Sequence, residues 1–383
     1  MRLMVTMAAA CLALMPIVST AAADPSWERW QSVSGVVDLG GPRSDGALVV
    51  AGSGALYQLD AAGNLAPFAN GPNGYHQDAG LEAYLAVSPG SRVAAAGCGF
   101  VRDETFVLRL HKPVGIDRID ALGQNTTSFA NVTSVTSLNG IAFDTTGAFD
   151  HKLLVSGPSG SKIAIAAIDC NGGVQVINPS APVLEGGLAV APRSFGTFGG
   201  DLIAPDELSG RIYAIAPDGN VATVAAPSLP TGGDIGVESL GFVPPGFMRG
   251  GAAYYADRKT SGNPHPGTDS VLRASSSVLA GAGVQEGDLL VATEGGAAMV
   301  AVRCAASCTV IPVIATPTTA HGEGHIVFTI NKAAPSPSPS RNPSPKATGS
   351  SSSQPPGVVI ALAILIVLML LVAASLMASR RRR

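Results

Sequence analysis

The feature that most constrains this chain is a phrase that recurs along it. It reads EAYLAVSPG from Glu82, NGIAFDTTG from Asn139, EGGLAVAPRSFG from Glu185, ESLGFVPPGF from Glu238 and EGHIVFTI from Glu323. Each copy opens on Glu or Asn and continues as a short apolar strand; the first four end in a Pro- or Gly-containing turn. Strand-bearing units repeating every roughly 45 to 60 residues cannot bury their apolar faces singly, and stacking them around an axis yields a β-propeller. The first strand of each unit then lines a central channel. The entry residues are expected to converge on one mouth of it.

A second phrase is a pair of β-runs joined by a tight turn. Copies begin at Ala47, Val93 (the loosest), Lys152, Asp201, Ala252 and Asp288. The copy at Ala252 carries a long insertion, ADRKTSGNPHPGTDS, and long loops within such units tend to shape a binding face. A body of roughly 300 residues suits six units of about 40 to 50. Six hairpins nevertheless meet five entry phrases. The hairpin at Ala47 has no entry phrase before it, and EGHIVFTI has no hairpin after it. The expected fold is therefore an all-β, six-bladed propeller in which the C-terminal strand completes the first blade, a closure that removes two open sheet edges. The Asp288 hairpin is left with only residues 275–286 to supply an inner strand, so five blades, one of them enlarged, is the alternative.

Here the residues reach a family resemblance. NGIAFD, EGGLAVAP and LIAPDELSGRIYAIAPDGN resemble the six-bladed propellers of the gluconolactonase/senescence-marker-protein and NHL-repeat superfamily, over about residues 40–330. The lactonase branch holds a divalent cation, often calcium, at the channel mouth. Its ligands are an inner-strand Glu, Asn residues and an Asp that also acts in catalysis. The resemblance implies a Ca²⁺ site drawn from Glu82, Asn139, Glu185, Glu238 and Glu323, with Asp206 and Asp257 following second strands. The Glu-Gly-Pro entry of the lactonases is absent, and only one entry Asn occurs.

Physical chemistry supports the same residues. Carboxylates facing one channel must be protonated, spread apart or neutralised. A hard cation taking oxygen ligands is one solution. His265, His321 and His325 are further candidates: Glu323 and His325 are two apart, and on a regular strand they share a face. Such a pair could bind a transition metal or polarise a water. The entry residue drifts by one position relative to the apolar run between copies, which turns some side chains away.

The ends set the expected compartment. Residues 1–23 read as a secretory signal, with Arg2 before an apolar stretch and Ala21-Ala22-Ala23 before Asp24. The body spans 24–331. Residues 332–356 are a Pro/Ser-rich stalk, and 357–378 form an apolar run long enough to cross a bilayer as a helix. Residues 379–383 end in four arginines, which resist translocation. The expectation is a single-pass cell-membrane protein with its body outside and a short cytoplasmic tail.

Of 24 basic residues eight lie outside 24–331, whereas all 27 acidic ones lie inside, leaving the body 16 against 27, a net of −11. An acidic body is a poor partner for nucleic acid. An exported body with four cysteines is expected to hold two disulfides: Cys304–Cys308 as a hairpin staple, and Cys98–Cys170. No G-x-S-x-G, H-E-x-x-H, phosphate-loop or dinucleotide pattern occurs. The expected function is a surface propeller binding a small molecule, glycan or protein, with a cation in its channel. The alternative is a calcium-dependent extracellular lactonase or hydrolase.

Overall fold

The computed structural model describes residues 27–76, 82–313 and 320–331. The proposed signal, stalk, apolar run and arginine tail lie outside them. Among the described residues no helix is long and apolar enough to cross a membrane.

Short apolar runs punctuated by Gly, Pro, Asn and Asp become strands here. After β1 (Glu28–Ser32), the first sheet is β2 (Asp38–Gly40), β3 (Leu48–Ala51), β4 (Leu56–Leu59) and β5 (Leu65–Phe68), paired in that order. Then come β6 (Leu85–Val87), a small ribbon of β7 (Arg92–Val93) with β8 (Cys98–Gly99), and β9 (Thr105–Arg109), β10 (Gly115–Ile119) and β11 (Thr126–Asn131). Strands β6, β9, β10 and β11 make the second sheet. The third is β12 (Gly140–Phe143), β13 (Leu153–Ser159), β14 (Lys162–Ile168) and β15 (Val174–Ala181). The fourth is β16 (Ala189–Val190), β17 (Leu202–Asp206), β18 (Arg211–Ile215) and β19 (Val221–Ala225).

The remaining strands are β20 (Val237–Phe242), β21 (Ala252–Asp257), β22 (Ser270–Ser275), β23 (Leu289–Thr293), β24 (Met299–Cys304), β25 (Cys308–Val313) and β26 (Gly322–Thr329). They form an eight-stranded sheet with β1, ordered β1-β22-β21-β26-β20-β23-β24-β25. Its centre is a single parallel bridge, Leu240 to His325, so it is two antiparallel four-stranded halves lightly joined. The architecture is all-β and propeller-like, and burial follows it. Second strands are sandwiched between sheets: every residue of Ala-Ala-Tyr-Tyr-Ala-Asp in β21 is buried. Outer strands are wet, as in β15. Apolar clusters lie between successive units: Phe106 and Phe143 meet edge to face at 5.4 Å between the second and third sheets, and Leu48 and Val50 pack with Tyr254 and Val271 across the seam between first and last.

The expected closure is corrected. The C-terminal strand β26 does not complete the first blade; it pairs with β21, from Ala252 opposite Thr329 to Asp257 opposite Gly322. The Ala47 hairpin has its own inner strand, β2, which is only three residues long. The N-terminal strand β1 joins the same half as β26, as its outermost strand against β22. Arg273 stacks over Trp30 at 4.0 Å, and Trp27 meets Tyr255 edge to face at 4.7 Å, which fixes that outer strand. The Asp288 hairpin takes β20 as its inner strand, because the β21–β22 hairpin lies between β20 and β23 in the chain yet belongs to the neighbouring half. Beyond the end of β22 at Ser275, residues 276–286 hold no strand; Ser275 caps a short helix, α1 (Ser276–Gly281), by accepting from the Val278 N–H. At Val93 the expected hairpin is the β7–β8 ribbon, and the sheet's own hairpin is β9–β10. Both disulfides form as expected, Cys98–Cys170 and Cys304–Cys308.

The inner strands are tied by one buried pair. The Asp38 carboxylate accepts from the N–H groups of Leu39 (2.8 Å), Leu85 (2.7 Å) and His325 (2.8 Å), and from His325 Nδ1 at 2.9 Å. His325 Nε2 donates to the Ile141 carbonyl at 2.8 Å, so β2, β6, β26 and β12 share one network. Asp38 is fully buried. Removing one partner of a buried pair costs about 3–5 kcal/mol. Asp38→Ala is expected to destabilise the protein by that order in denaturant unfolding; a change below about 1 kcal/mol would refute the role.

Candidate acidic channel mouth

The entry residues converge. Glu82 precedes β6, Glu185 precedes β16, Glu238 lies in β20 and Glu323 in β26. Tyr84 Oη donates to Glu238 Oε1 at 2.8 Å and lies 3.0 Å from Glu323 Oε2. Gly186 passes so close to Glu238 that a Cβ there would lie 2.3 Å from its carboxylate, and its φ of +82° also favours glycine. Arg258 binds both Glu82 and Glu323, the latter at 2.9 Å. His321 is fully buried; its Nε2 lies 3.1 Å from Glu294 Oε1, 3.6 Å from Glu323 Oε1 and 3.0 Å from Thr260 Oγ1.

Three of the other expected residues sit elsewhere. Asp206 turns into its own hairpin, accepting from the N–H groups of Leu208 and Ser209 and from the Ser209 hydroxyl. Asp257 stands behind the mouth, its Oδ1 accepting from the His321 N–H at 2.8 Å. His265 lies in the 258–269 loop, its N–H on Asn263 Oδ1. Asn139 borders the mouth, but its amide is occupied: Nδ2 donates to the Leu184 carbonyl at 2.7 Å, and Oδ1 accepts from Ser156 Oγ at 2.9 Å. It holds the segment leading to Glu185. The expected Glu323–His325 pairing also fails. Gly324 has φ of +60°, and β26 shifts register against β21 there, so regular alternation breaks and His325 faces Asp38.

Residues not selected from sequence complete the mouth. Arg258, Glu207 and Glu294 each follow the last residue of a second strand: β21, β17 and β23. The phrases YADRK, APDEL and VATEGG carry this signal. Asp206 and Asp257 are one residue too early, and alternate strand positions face opposite ways.

The electrostatics follow from counting. Six glutamates (82, 185, 207, 238, 294 and 323) meet one arginine and one histidine. Burial alone would lower the His321 pKa; hydrogen bonds to Glu294 and Glu323 outweigh it and lift it to about 9. Arg258 and protonated His321 thus supply two positive charges against the three carboxylates they contact, Glu82, Glu323 and Glu294. Among the described residues no salt bridge reaches Glu185, Glu207 or Glu238. Burial, then repulsion from Glu82, Glu294 and Glu323, raises Glu185 to about 7. Burial and a hydrogen bond to Glu294 raise Glu207 to about 8. Burial, then Glu323, pushes Glu238 far up, and its Oε2 is buried with no hydrogen-bond partner. Among the described residues, Glu294, His321 and Glu323 offer ligand atoms within 4.8 Å of one another, a possible metal group. Beside the mouth a cavity of about 460 Å³ is lined by Glu82, Tyr84, Asn139 and Glu185.

No protein-family model matches the sequence, and no curated protein matches it. Among solved structures, virginiamycin B lyase from Staphylococcus aureus is similar at 12% identity and TM-score 0.42, over 78% of this chain and 94% of that one. A putative gluconolactonase is similar at 12% identity and TM-score 0.39, over 79% and 96%. A gluconolactonase from Xanthomonas campestris is similar at 15% identity and TM-score 0.38, over 61% and 69%. Likenesses this distant transfer no activity.

The raised carboxyls set a pH dependence. Folded Glu185 and Glu207 hold protons from pH 4.5 up to about 7 and 8, where the unfolded chain has released them. His321 does the same between 6.5 and about 9. The folded state binds more protons, so stability falls as pH rises through this window. Denaturant unfolding in chelator is expected to show that fall between pH 5 and 9, and Glu185→Gln with Glu207→Gln is expected to flatten its lower part. A profile rising with pH would contradict the assignment.

Proposed function

We propose that this protein is a six-bladed propeller, held outside the cell by its C-terminal apolar run, that binds a cation at its acidic mouth. The blades are the four four-stranded sheets and the two halves of the eight-stranded one. The observation that carries the reading is the uncompensated set Glu185, Glu207 and Glu238, with a buried unpartnered oxygen on Glu238. Hard carboxylate donors suit a hard divalent cation such as Ca²⁺. Glu294 and Glu323 would hold it, since their carboxylates and His321 offer ligand atoms within 4.8 Å of one another, and the added charge would relieve the repulsion on Glu185, Glu207 and Glu238. Strand β26 starts at the mouth with Glu323 and runs away from it.

A second reading is an extracellular hydrolase. It is favoured by Glu185, whose pKa of about 7 and place in the cavity wall suit a general acid–base group.

Thermal unfolding of the full-length chain with CaCl₂ or chelator tests the cation. Calcium is expected to raise Tm more at pH 8 than at pH 6, since binding competes with protons. In Glu294→Gln the calcium response is expected to vanish. No response to calcium in the parent chain sinks the divalent-cation reading. Turnover of a lactone and ester panel, lost in Glu185→Gln, would favour the hydrolase over the binder.

A further inference from the structure

The cavity beside the mouth does more than admit a bare ion. Its walls come from three neighbouring units. Glu82 and Tyr84 lead into the second sheet, Leu138 to Ile163 belong to the third, and Val183 and Glu185 lead into the fourth. Glu82 and Glu185 bring carboxylates to it, and Leu138, Pro158, Ile163 and Val183 bring apolar surface, while the exposed Ser161 and Lys162 stand at its rim. A volume of about 460 Å³ suits a small organic ligand, and such sites combine apolar surface with placed polar groups.

The two acids differ. Glu82 is engaged by Arg258, whereas among the described residues no salt bridge reaches Glu185. Behind them Tyr84 lines the cavity with its ring and gives its hydroxyl to Glu238, whose other oxygen is buried and unpartnered. A ligand here meets both a carboxylate without a salt-bridge partner and hydrocarbon. A hydrated metal ion would use only the first.

We propose that the cavity binds an organic ammonium ion carried on an apolar body, with its charge on Glu185 and its body against Leu138, Ile163 and Val183. This deepens the cation reading and rests on it. The ammonium donates hydrogen bonds to the carboxylate, and the body removes apolar surface from water. Neither half alone uses the whole site, so charge and body are needed together.

Calorimetric titration of the full-length chain uses four probes: 2-phenylethylammonium, its neutral counterpart 2-phenylethanol, methylammonium and calcium. The first is expected to bind at least tenfold tighter than the second and third. Glu185→Gln is expected to lose at least tenfold for 2-phenylethylammonium. Ser161→Trp, on the exposed hairpin turn at the cavity rim, is expected to weaken that ligand while leaving the calcium response intact. If calcium binds but 2-phenylethylammonium is no better than methylammonium or 2-phenylethanol, this proposal is overturned and the cation reading stands. If neither calcium nor either ammonium binds, both fall.

Discussion

The fold depends on a charge pair where the inner strands meet. Both ring nitrogens of His325 face acceptors, the Asp38 carboxylate and the Ile141 carbonyl, so the ring is held as a cation. Burial alone would lower its pKa; Asp38 outweighs that and raises it. The carboxylate in turn takes three backbone N–H groups from three strands. Inner strands are short: β2 has three residues and β16 two. They have little ladder of their own, and a shared, fully hydrogen-bonded ion pair holds the sheets together where they come closest. The pair also divides the channel. Beyond His325 lies a second cavity of about 340 Å³ with an apolar wall, lined by residues such as Leu39, Phe143 and Phe328. The acidic mouth and the apolar floor are therefore chemically different ends of one axis.

The mouth shows the opposite balance. Around Asp38 each charge has its partner. Around Glu238 negative charge exceeds what Arg258 and His321 supply. Buried uncompensated carboxylates cost stability, and they persist in folded proteins chiefly where they serve a ligand or a proton. The mouth is the place in the described structure where that cost is concentrated.

Much of this was legible in the sequence, and the failures have physical causes. Four of the five entry phrases place a glutamate at the mouth, because each is anchored by a recurrent apolar strand. Asn139 also lands there, but its amide is used up by Leu184 and Ser156, partners that no local pattern reveals. The strand at Asp38 escaped notice because three residues carry no periodicity. Glu207, Arg258 and Glu294 escaped because adjacent residues at a strand end are equally polar, and only the position where the strand stops decides which of them faces the channel. The Glu323–His325 pairing failed at one residue: Gly324 takes a left-handed conformation and re-aims everything after it. The cysteine pairing held because four cysteines, two of them four apart, leave few sensible connections.

The sequence alone determined the repeat, the all-β class, the acidic body and four of the six glutamates at the mouth, since these follow from local periodicity and composition. Which strand closes the ring was decided by tertiary structure. The β21–β22 hairpin crosses to the neighbouring unit, so Glu323 meets Arg258 and His321 rather than the first hairpin, and long-range pairing of this kind leaves no local trace. The charge balance of the mouth was decided there too. Whether a glutamate is neutralised depends on which cation the fold brings beside it, and that partner lies, for Glu82 and Arg258, 176 residues away.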